Sequence, residues 1–184
     1  MTASSVASSE RRLPLWILSL AVASVLFTLG FACAVPLAAF ATIAAIAFKR
    51  RDALVATGAV WLANQAVGFV LLHYPTDGVT LAWGGALGVI ALLSCEAAGF
   101  VTRRIAGATG IFVAFLAAFI VYQGSLIVID LVTGQGGDEL VFITVARIFL
   151  INACAFGGLW ALKTVASTTS FGPKVTAALA PRHV

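Results

Sequence analysis

Few residues in this chain can do chemistry, and the densest group is Trp61-Leu62-Ala63-Asn64-Gln65-Ala66-Val67-Gly68-Phe69, followed by His73-Tyr74-Pro75. Trp61, Gln65, Phe69 and His73 recur every four residues, which on a helix makes a slowly drifting stripe along one face. Asn64 and Gly68 form an adjoining stripe. Aromatic rings can stack on a flat ligand while amides fix its orientation, a division common in apolar pockets with few polar groups. This predicts an outward-opening wall for a small solute. The competing structural reading makes Asn64 and Gln65 hydrogen-bonding glue between helices, with His73 and Tyr74 at the membrane interface.

A second group is spread over the last two apolar runs. Arg147 is the one basic residue inside a long apolar stretch, and an ionisable group at membrane depth is a functional candidate by default. Counting back from the gap at Thr133 to Glu139 places it about two helical turns below that surface, within reach of Asp130. An Asp130–Arg147 pair would either lock the hairpin or stand beside a ligand. Gln123, next to Tyr122, and Asn152 lie near the middle of these runs and would complete a polar cavity with Asn64 and Gln65. Glu96 is expected to reach Arg103 or Arg104 as a solvated acid.

Cys33, Cys95 and Cys154 have no paired spacing, so neither a disulfide framework nor a closed zinc site is indicated. Cys33 and His73 both fall at outer helix ends, a weak pairing for a soft or borderline metal. There is no HExxH, no GxSxG and no phosphate loop, and these absences leave nothing to argue for an enzyme. The expectation is a chain without catalytic residues, protein metal ligands or resident cofactor.

The elements that must position these residues follow from hydropathy. The chain has 184 residues, 61% of them hydrophobic, and a mean hydropathy of +1.08. A membrane crossing needs roughly 20 apolar residues. Four runs have that length: Ala53 to Leu72, Thr80 to Val101, Ile105 to Val132 and Leu140 to Leu162. The first run, Leu13 to Phe48, is longer than one crossing needs and is flanked by basic residues at both ends. Two short helices with a tight turn near Gly30 to Cys33, and Pro36 starting the second, satisfy both facts.

Basic residues cluster at Arg11-Arg12, Lys49-Arg50-Arg51, Arg103-Arg104 and Lys163, Lys174 and Arg182, whereas the gaps His73 to Val79 and Thr133 to Glu139 carry only acids. Lys/Arg excess marks cytoplasmic loops. The fold class expected is therefore all-α: a polytopic membrane protein with six transmembrane helices over 13–166. Both termini, the tails 1–12 and 167–184, are expected in the cytoplasm. The net charge of +4 reflects this topology and attraction to membrane lipid, and gives no argument for nucleic acid. Ala32-Cys33-Ala34 offers a signal-cleavage alternative, set against the unbroken apolar run to Phe48. Gly84-x-x-x-Gly88 predicts close helix packing, with homodimerisation as the second reading.

Six short helices with a polar-aromatic wall opening outward resemble the substrate-binding S component of energy-coupling-factor transporters over Leu13 to Leu162. The resemblance implies an inner-membrane uptake component that binds a vitamin, cofactor precursor or metal from outside and docks on an energising partner. Ser19-x-x-x-Ala23 and the second helix's alanines are its implied docking surface. Trp61, Asn64, Gln65, Phe69, His73, Gln123, Arg147 and Asn152 are the expected ligand-facing residues. The alternative is a non-transporting subunit or assembly factor of a larger membrane complex.

Overall fold

The computed structural model describes residues 14, 17–25, 35–134 and 142–168. These are helical with short turns, and no strand occurs among them. Residues 17–25 belong to α1; α2 is Leu37–Ala47, α3 Arg50–Ala66, α4 Gly78–Thr102, α5 Gly107–Thr133 and α6 Phe142–Thr168. A π-helical turn, Val67–Leu71, continues α3. Among the described residues, four helical stretches are long and apolar enough to cross a membrane: Arg50–Leu71, Gly78–Thr102, Gly107–Thr133 and Phe142–Thr164. Each lies within a few residues of its expected run. The expected turn at Gly30 to Cys33, the signal-like Ala32-Cys33-Ala34, Asp138, Glu139 and most of both tails lie outside the described residues.

The second helix differs from the others. It begins just after Pro36, as expected, but has 11 residues, about 16 Å at 1.5 Å per residue against about 30 Å of hydrocarbon. Its sequence, LAAFATIAAIA, is apolar all round, which suits a helix packed on every side. Leu37 through Ala44 are all buried, and α3, α4, α5 and α6 all pack against it. The alanines leave little side chain between backbones, so neighbours approach closely. A short helix is thus the core of the bundle.

The outer surface is apolar too. On α5, Phe112, Ile120 and Val128 are exposed while Ala114, Phe115, Ala118 and Phe119 are buried. Large exposed hydrophobics on a bundle this size mark a membrane-facing surface. Across the α5–α6 contact Phe115 stacks on Phe156 at 4.7 Å and Phe119 meets Phe149 edge-on at 5.0 Å. Such ring pairs add to the packing energy beyond their area.

Asp77 starts α4 as its N-cap: its Oδ1 accepts from the backbone N–H groups of Val79 and Thr80, both at 2.9 Å, and the Thr80 hydroxyl donates to its Oδ2. The Thr80 bonds, backbone first and hydroxyl second, hold its carboxyl below the usual carboxylate range. A carboxyl depressed in the folded state stabilises above its unfolded pKa, and that contribution disappears as pH falls through the folded value. The stability gap between wild type and Asp77→Ala should therefore narrow from neutral pH to about pH 3, read by melting in detergent. A constant gap would show that the charged cap does not stabilise α4.

Candidate functional site

The N-terminus of α2 lies inside the bundle, level with the middle of α6. Pro36 offers no side-chain cap there. A helix start leaves backbone N–H groups without intrahelical partners, and in an apolar interior each needs another acceptor. Asn152 supplies one from α6: its Oδ1 accepts from Ala39 N–H at 3.3 Å, and its Nδ2 donates to the Ile148 carbonyl at 3.0 Å. Asn152 is 1% exposed. It is a helix cap delivered from a distant segment.

Opposite stands α5, whose buried face runs Ala114, Phe115, Ala118, Phe119, Tyr122 and Gln123, with Asp130 two turns further. Counting inward from the shared turn, Gln123 and Asn152 lie at similar depth. Gln123 is 3% exposed and neither amide atom has a hydrogen-bond partner; Asp130, 5% exposed, leaves Oδ2 unpartnered. An unpartnered buried amide costs about 1–3 kcal/mol. Native interiors rarely keep such groups without a function, a water or an ion.

The expected wall on α3 divides. Trp61 Nε1 donates to the Gly84 carbonyl at 2.9 Å, and its ring occupies the space a Cβ on Gly88 would take. Gln65 Oε1 fills the corresponding space at Gly84. The GxxxG spacing of α4 thus forms two notches that receive side chains of α3 in the same molecule. Asn64 is half-buried beside them. The π-helical turn then breaks the four-residue stripe. Beyond it Phe69 meets Tyr74 edge-on at 6.3 Å, and Tyr74 folds over Gly68. His73, with φ 53°, is exposed at the end. Trp61 and Gln65 stay together; Phe69 and His73 leave them.

Arg147 is exposed, and among the described residues no ion pair joins it to Asp130. The reason is rotational. Arg147 precedes the inward-facing Asn152 by five positions, about 140° around the helix at about 100° per residue. Asp130 lies on the buried face of α5, whereas Arg147 is turned to the exposed side of α6. Glu96 also takes an unexpected partner: Arg50 Nε donates to Oε1 at 2.8 Å and to Oε2 at 3.1 Å. Arg103 instead folds back over Gly99, and Arg104 lies over the Phe100 ring at 4.0 Å. Cys95 is buried, Cys154 is exposed, and Cys33 lies outside the described residues.

No family model, curated protein or solved structure matches this chain. The strongest site candidate is therefore geometric: the buried start of α2, its Asn152 cap and the unpartnered Gln123 and Asp130. The sequence marked Gln123 and Asn152 by depth alone. Their relation to α2 was hidden, although Pro36 ahead of a short alanine run was its visible trace.

Proposed function

We propose that the chain is a multi-pass protein of a bacterial-type inner membrane that binds a small solute for uptake, in the manner of an S component. It would have six helices, α2 reaching only about half-way through the hydrocarbon, with both termini cytoplasmic, and would dock on an energising partner. The observation supporting solute binding is Gln123, a buried amide with both polar atoms unpartnered, on a helix packed against a capped, half-length helix. Discontinuous helices ending at membrane depth recur at transporter binding sites, where half-helix termini meet the solute. Asp130 would take part from the same face. Arg147, directed away, would act outside this site.

A non-transporting scaffold is the second reading, and the glycine notches filled by Trp61 and Gln65 favour it for that part of α3. The two readings separate at Gln123. Purified protein is melted with water-soluble vitamins and divalent metal ions. A solute at about 100 times its Kd stabilises by about 2.7 kcal/mol. We expect one class to raise the wild-type melting temperature and Gln123→Leu to lose that rise. Without solute, Gln123→Leu should melt no lower than wild type, because it removes an unpaired buried amide. A variant that keeps the full solute response would sink the proposed site.

A further inference from the structure

At the basic end of the bundle, where α2 turns into α3 and α4 ends, the structure forms an open pocket of about 320 Å³. That is within the range of small-molecule sites, about 300–1,000 Å³. Its floor is apolar, built by Ala45, Phe48, Ala53 and Cys95; its mouth carries Lys49, Arg50, Arg103 and Glu96. Three cations thus face one carboxylate. Glu96 is engaged through Arg50 Nε, which leaves both terminal NH2 groups of that guanidinium for another acceptor. Gly99 permits the arrangement at Arg103: a terminal nitrogen of Arg103 lies 3.1 Å from where a Cβ would stand. Lys49 is the N-cap of α3, so the start of that helix adds its positive end to the same side.

We propose that this cavity binds a phosphate-bearing anion, presented by the headgroup of an anionic phospholipid. The excess of cations matches a phosphate in charge, and guanidinium forks match phosphate oxygens in geometry. Basic pockets between membrane helices at such an end are suited to lipid headgroups. The apolar floor beneath a charged mouth favours a lipid over a free anion, because glycerol and acyl carbons can cover what phosphate alone leaves bare. The site is independent of the solute site at the start of α2.

The test uses full-length protein in neutral detergent, titrated with phosphatidylglycerol, phosphatidylcholine, inorganic phosphate or glycerol 3-phosphate, with melting temperature and retained lipid by native mass spectrometry as readouts. Phosphatidylglycerol is expected to be retained and to raise the melting temperature above phosphatidylcholine. The Lys49→Gln/Arg103→Gln double variant should bind it about twenty-fivefold more weakly, taking roughly a factor of five per cation near an anionic lipid. Arg104→Gln, on the Phe100 ring and outside the cavity, should bind like wild type. Glu96→Gln adds no bulk and raises the local charge, so it should bind phosphatidylglycerol more tightly. It keeps the proposal testable should the double variant fail to fold. An equal response to both lipids, equal loss in Arg104→Gln, or no gain in Glu96→Gln would overturn the site. A response to inorganic phosphate that phosphatidylglycerol does not exceed would overturn the lipid as its source.

Discussion

Gly110→Ala should lower the melting temperature of the purified protein more than alanine at any other described glycine. A Cβ there would overlap the carbonyl oxygen of Ile105, which belongs to the backbone of the turn between α4 and α5 and has no rotamer to yield. At Gly68, Gly84 and Gly88 the added methyl meets only side chains of Tyr74, Gln65 and Trp61, which can shift. Gly110 is buried on the α5 face that packs inward, so displacing the turn disturbs the packing of α4 against α5. Overpacking commonly costs about 1–3 kcal/mol and sometimes more; a backbone clash belongs at or above the top of that range. Gly124, with open space at its Cβ position, is the control, and alanine there should be neutral or stabilising by about 0.5–1 kcal/mol. Equal melting of the two variants would refute the role of the Ile105 contact.

Asn152→Leu comes second. It keeps the side chain's bulk near its original value but removes the acceptor for Ala39 N–H, leaving a donor at the buried start of α2. Such an orphan costs about 1–3 kcal/mol. Exchange of the Ala39 amide should accelerate together with the loss of melting temperature. A variant that melts with wild type and protects Ala39 equally would show that the cap contributes nothing.

The long helices were legible because hydropathy and charge suffice for them: α4 and α5 start and stop within two or three residues of the runs read from sequence. Burial was legible in part: Gln123 and Asn152, marked as mid-helix polar residues, are both buried. Facing was not. The stripe from Trp61 to His73 assumes an unbroken helical period, and the π-helical turn at Val67–Leu71 shifts everything after it. Asp130 is buried and Arg147 exposed, so the two do not face each other. Glu96 could be matched only with cations near it in sequence, whereas Arg50, its partner 46 positions away, needed α3 and α4 set side by side. The glycine notches were read as room for a backbone and are filled by side chains.

The Asn152 cap also has a consequence for the order of biosynthesis. Ala39 and Asn152 are 113 positions apart, so at about 5–20 residues per second the acceptor follows the donor by on the order of ten seconds. During that interval nascent α2 is a stub too short to insert as an independent spanning unit, and its exposed N–H groups would meet either lipid or the insertion machinery. Neighbours α3, α4 and α5 are made first and can cover its sides, but the cap on its start must wait for Asn152 of α6. Interruption of translation between the two would leave the central helix without its terminal partner, a form suited to recognition by membrane quality control.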